Sequence, residues 1–148
     1  KNLLTHLDSM QAQDGLTPDL IIRSVVSGFL LFGDEEVWRR HHHRLMMREI
    51  SNPTQAFELI LKKMMRPVYE KLTDTLRPFM PKSMAQEDLL LKCMSTIFQC
   101  VVFSFSRPLI TGLTGRDYDQ EFRAQLIDHI TRFSLQGLGL TPSEEAQS

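Results

Sequence analysis

The residues best suited to chemistry gather between positions 34 and 50. On a helix with Trp38 set at 0°, Leu45 lies near about −20°, Glu49 near about 20°, His42 near about 40° and Met46 near about 80°. An imidazole and a carboxylate therefore stand inside an arc of Trp, Leu and Met. An unpaired buried carboxylate is costly, so it must find partners or take up a proton. Three readings follow. Glu49 and His42 bond to other core groups or peptide N–H groups; they line a cavity and meet water or a ligand; or they work as an acid/base pair. His41-His42-His43 is not read as a metal site, because consecutive helical side chains diverge by about 100° and chelation favours the i, i+4 spacing. No other His, Cys or acidic cluster completes a four-ligand set. His41 and His43 are expected to join Arg39, Arg40 and Arg44 on a solvated basic edge.

Other signals for chemistry are missing. There is no nucleophile elbow, no phosphate-cradling Gly-rich loop and no His-Glu-x-x-His. Gly112 and Gly115 read as a turn. The expectation is therefore no enzyme, no cofactor and no metal. The eight methionines suit either core packing or a surface that accepts varied apolar ligands.

The 148 residues fit one domain, and 42% hydrophobic with 24% charged residues can build a core. Seventeen Lys and Arg against eighteen Asp and Glu give a net charge of −1, without the basic excess that phosphate backbones select. The longest purely apolar runs, Phe29 to Phe32 and Cys100 to Phe103, fall far short of the roughly 20 residues of a membrane span, so no membrane partner is expected. Cys93 and Cys100 on one helix stand roughly 10.5 Å apart along its axis, beyond the about 7 Å a disulfide tolerates. They read as reduced core thiols of a cytoplasmic protein.

The elements that must position these residues are helical throughout. Residues 2 to 12 read as the tail of a helix. Thr17 and Pro18 open the next, to about Gly33. Asp34-Glu35-Glu36 begins a third, to about Ile50. A fourth runs from Pro53 to about Phe79, with Pro67 as a kink. Ser83, with Gln86 in a capping box, opens a fifth to Ser106. Arg107 to Gly115 reads as a loop, and the last helix spans about Asp117 to Gln136. The fold class is all-α, an antiparallel bundle of five to six helices.

The 83–106 helix carries apolar residues over roughly 220° of its wheel, from Leu89, Leu90 and Leu91 to Val102 and Phe105. One apolar stripe of a little over 100° suffices for a helix exposed on one side, so this one needs cover on two. Tyr118, Phe122, Leu126, His129 and Phe133 share an arc of about 80° on the last helix. Two such helices suggest a dimer seam; a central helix in a monomer is the alternative.

The stretch "LMMREISNPTQAFELILKKMMRPVYEKL" (Leu45 to Leu72) and the closing "DHITRFSLQGLGL" resemble the C-terminal regulatory domain of TetR/AcrR-type bacterial transcriptional regulators, including Arg48-Glu49 before the Pro53-Thr54 helix start. The resemblance covers nearly the whole chain. It implies a regulatory domain over residues 1–140, with 1–13 the end of the helix leading from an N-terminal helix-turn-helix domain and 141–148 a polar tail. That helix-turn-helix is absent from these residues, so operator DNA would be reached only through it. The resemblance further implies a homodimer through the last two long helices, with Leu90, Met94, Ile97, Val101, Phe105, Tyr118, Phe122, Leu126, His129 and Phe133 at the interface. It implies a pocket among the middle helices for a small apolar or aromatic effector, lined by Trp38, His42, Met46, Glu49, Phe57, Met64 and Phe98. Repression relieved by the effector is the family's usual mode. A small Glu/His enzyme and a ligand-free dimerisation module are the competing readings.

Overall fold

The computed structural model describes residues 3–12, 14–31 and 36–140, with side chains for all of these except 3, 6, 31, 36–40, 42 and 43. The helices are α1 (Leu3–Gln11), α2 (Pro18–Leu31), α3 (Glu36–Ser51), α4 (Gln55–Ile60), α5 (Arg66–Leu76), α6 (Gln86–Phe105), α7 (Arg107–Thr114) and α8 (Gln120–Gly137). Among the described residues there is no strand, and the fold is all-α.

Local chemistry sets most helix starts. The Thr17 hydroxyl accepts the Leu20 N–H at 3.3 Å, and Pro18 is the first residue of α2. At the head of α8, Asp119 Oδ1 accepts the Phe122 N–H at 2.7 Å, as N-cap acids do. The expected stops at Gly33 and the acidic turn at Asp34-Glu35 lie outside the described residues, as does the 141–148 tail.

Pro67 bends a helix without ending it. It lacks an N–H, and its ring would collide with the carbonyl four residues earlier. Leu61–Met65 forms a π turn just ahead of it, with the Arg66 N–H reaching back five residues to the Leu61 carbonyl. The wide turn carries the chain past the ring. The apolar stripe of the expected 53–79 helix is thus divided into α4, the π turn, α5 and a closing 3₁₀ turn, Arg77–Phe79.

Two boundaries differ from expectation. Ser83 does not cap α6: the Met84 N–H is already bound to the Pro81 carbonyl at 3.0 Å in a tight turn, and α6 begins at Gln86 with Ala85 before it. The segment expected to be a loop is α7. Arg107-Pro108 opens it because the first turn of a helix has N–H groups with no internal partner, so a proline costs nothing there. Gly115, at φ 68°, ends it in the left-handed region.

The core is arranged around α2. Ile21, Ile22, Val25 and Val26 are fully buried, with α8 and α6 as the principal neighbours of their helix and α1 and α5 completing the cover. α1 adds Leu7 and Met10, α5 Leu72 and Leu76, α6 Leu89, Cys93, Ile97 and Cys100, and α8 Phe122, Leu126, Ile127, Ile130 and Leu135. α3 packs chiefly on α4. By length and mean hydropathy (1.5) α6 would also pass for a membrane span, a reading that counting unbroken apolar runs had set aside. A helix that walls a core passes the same test, and α6 buries Leu89, Cys93, Thr96, Ile97 and Cys100.

Leu76→Ala is expected to cost about 2–5 kcal/mol through lost burial and a residual cavity. Leu109→Ala, on the open side of α7, is expected to stay within about 0.5 kcal/mol. Urea unfolding midpoints at constant slope check both.

Candidate functional site

Glu49 sits in the last turn of α3 and is completely covered. Its Oε2 accepts the Thr54 N–H at 3.0 Å and the Thr54 hydroxyl at 2.7 Å, and its Oε1 accepts from Arg48 Nη2 at 3.1 Å. Thr54 is itself the N-cap of α4, its Oγ1 accepting the Ala56 N–H at 3.2 Å. The hydroxyl thus donates in one direction and accepts in the other. The bonds from the Thr54 hydroxyl and N–H hold the Glu49 carboxyl below its ordinary 4.5; burial works against them, and Arg48 adds to them. The cover comes from the adjoining turns at the edge of the molecule rather than from the depth of the bundle. At neutral pH this carboxylate is an ion with its lone pairs engaged, joining the end of α3 to the start of α4.

Met46 stands one turn before Glu49 and is half-buried, as is Phe57 in the first turn of α4. Met46 and Glu49 thus lie near the end of α3, and Phe57 lies near the start of α4. Met64 lies in the π turn and is 47% exposed. Phe98 belongs to α6, which packs on α2, α5 and α8. The side chains of Trp38 and His42 lie outside the described residues. Among the described residues no group of three His, Cys, Asp or Glu could hold a metal ion. Cys93 and Cys100 are free and buried, and burial pushes both thiols up to about 12, which leaves them inert.

The residues expected at a dimer seam separate into two sets. Ile97, Phe122 and Leu126 are 7%, 5% and 5% exposed; they belong to this subunit's own core and have almost no surface left for a partner. Leu90, Met94, Val101, Phe105 and Tyr118 are half-buried, and His129 and Phe133 are exposed. The Tyr118 hydroxyl donates to the Phe103 carbonyl at 2.6 Å, under the Arg107 guanidinium. On α8 one stripe is covered at Phe122 and Leu126 and then emerges: His129 meets Phe103 edge-on and Phe133 at a tilt, both with ring centroids 6.2 Å apart. The outer row of α6 was missed. Leu91, Phe98 and Val102 fall within about 40° of one another on its wheel, and that spacing was the signal for it. The exposed Leu109 and Leu113 of α7 were hidden by reading their segment as a loop.

α1 is held to α5 by more than apolar contact. Gln11 donates to the Thr75 hydroxyl at 2.9 Å, and the Lys71 ammonium bonds both Gln11 and Asp8.

Residues 18–138 match the family described as the C-terminal domain of the HTH-type transcriptional dual regulator CecR. The chain belongs to this family. The match runs from the first residue of α2 to the residue after α8, so α1 alone of the helices lies ahead of it. This CecR-type domain is the C-terminal domain of a TetR-type regulator, a class of transcription-regulator domain. No curated protein and no solved structure matches the chain.

Because folding favours the charged form of Glu49, its contribution is present above about pH 4.5 and is lost as the pH falls through its lower folded value. Stability of the wild type, followed by urea unfolding from about pH 6 to pH 3, is expected to drop more steeply than that of Glu49→Gln. Equal slopes would show that the carboxylate has no preferential partner in the folded chain.

Proposed function

We propose that residues 1–140 are the effector-binding and homodimerisation domain of a TetR-type repressor, working in the bacterial cytoplasm. Residues 1–13 end the helix that descends from a helix-turn-helix domain, and 141–148 form a polar tail. Family membership supports the class. The observation that carries the dimer is apolar surface in rows: Leu91 at 53%, Val102 at 47% and Phe133 at 58% exposure, with Met94, Phe98 and Phe105 beside the first two on an arc of about 80°. Ordinary surfaces scatter such residues singly. The proposed seam therefore uses the outer row of α6 with His129 and Phe133 of α8, and omits Ile97, Phe122 and Leu126.

The effector in this reading is a small apolar or aromatic molecule received at the α3–α4 junction. Met46 and Phe57 offer apolar contact there, with Trp38 and Met64 as further lining and His42 to orient a polar group; Glu49, whose oxygens are taken by Thr54 and Arg48, holds the junction rather than the ligand. Phe98 moves from the pocket to the seam. The route outward runs through contacts already described: Glu49 ties α3 to α4, the π turn continues into α5, and Lys71, Thr75 and Gln11 tie α5 to α1. A dimer sets the spacing of its two recognition helices against major-groove faces about 34 Å apart. An effector that prefers the arrangement with the wrong spacing releases the DNA, by no more than its differential affinity.

Light scattering after gel filtration is expected to give a dimer for the wild type and a monomer for Leu91→Glu/Val102→Glu. A wild-type monomer at about 100 μM overturns the seam. In a thermal-shift screen of small aromatic compounds, a ligand at 100 times its Kd adds about 2.7 kcal/mol of stability. Phe57→Ala is expected to abolish that shift, and a screen without any shift overturns the effector reading.

A further inference from the structure

The outer face of α3 holds a depression of about 450 Å3, open to solvent and lined by His41, Arg44, Leu45 and Arg48. The spacing of three, four and seven residues places all four on one side of the helix. The hollow is shallow, formed between the side chains of one helix, and can hold only part of a small molecule.

Its chemistry is one-sided. Leu45 is 45% exposed and supplies an apolar floor. His41 and Arg44 are exposed and have no hydrogen-bond or ion-pair partner among the described residues. No acidic residue occurs between positions 41 and 48. Arg48 is 66% exposed, yet it is not free to wander: its Nη2 is 3.1 Å from Glu49 Oε1, and Glu49 is itself held by Thr54. A guanidinium carries five N–H donors, so one bond to Glu49 orients Arg48 and leaves most of its donors available. Planar guanidinium donors suit carboxylate and phosphate oxygens.

We propose that this face of α3 binds a small organic oxyanion, a carboxylate- or phosphate-bearing molecule with an apolar body. Arg44 and Arg48 grip the charged group, and Leu45 covers the apolar part. Lysine-like point charges scattered on the surface would attract anions without distinguishing their bodies; an apolar residue between two arginines does distinguish them. The site lies on the solvent side of α3 and needs no partner subunit, so it stands or falls apart from the dimer; the Arg48–Glu49 bond is what it shares with the α3–α4 junction.

Amide NMR titrations with phenyl phosphate, inorganic phosphate and benzyl alcohol test it. Phenyl phosphate is expected to shift the amides of residues 41–48 with a Kd about tenfold lower than that of inorganic phosphate, and benzyl alcohol is expected to leave them unmoved. Arg44→Gln and Arg48→Gln are each expected to weaken phenyl phosphate about tenfold; Arg44→Gln leaves the spectrum elsewhere unchanged, whereas Arg48→Gln also moves the amides around Glu49, its hydrogen-bond partner. Leu45→Ser is expected to remove the preference over inorganic phosphate while keeping both arginines. The proposal is overturned by shifts scattered over the surface, by equal binding of phosphate and phenyl phosphate, or by undiminished binding in both Arg variants.

Discussion

The burial of α2 is the contact on which the other helices depend. Ile21, Ile22, Val25 and Val26 are completely covered, and α8, α6, α5 and α1 share the cover. Each such side chain contributes about 1.5–3 kcal/mol relative to exposure. Branched residues are only moderate helix formers, so α2 is a helix because it is surrounded, and its neighbours are placed because they surround it. Arg23 bonds Asp19 on its own helix and Asp128 on α8 at 3.1 Å. That half-exposed pairing adds little energy beside the apolar contact between the two helices.

Away from this centre the structure is held by joints rather than by bulk. α3 reaches the rest chiefly through α4, and the Glu49–Thr54 pair makes that joint rigid by using one threonine both as the cap of α4 and as a donor to α3. The π turn before Pro67 keeps α4 and α5 mechanically continuous where a proline would otherwise separate them. Lys71 and Thr75 then fasten α5 to the helix that precedes the family's domain. Apolar burial thus holds the centre of the domain, and polar joints hold its flank.

What could be read ahead of the structure followed the range of the forces involved. Thr17-Pro18 and the family-like stretch from Leu45 to Leu72 were legible because caps and stripes act within a few residues. Arg107-Pro108 misled because the same dipeptide ends one helix and begins another, and only the next residues, ending at Gly115, decide which. Ser83 misled because it lies inside the Pro81–Met84 turn, and α6 begins only at Gln86. At the candidate site the wheel singled out Glu49 as a carboxylate in need of partners, yet it could not name Thr54 as one of them, since that contact crosses from one helix to the next.

The all-helical class and the course of the long helices were determined by the sequence alone, because period, cap and composition are properties of short segments. Which half of each stripe is covered was decided only by the tertiary structure. Phe122 and Phe133 occupy nearly the same angle on α8, and one is core while the other faces outward. The difference is not in either residue but in how far the neighbouring helices extend along α8, and length of overlap is a property of the packed bundle.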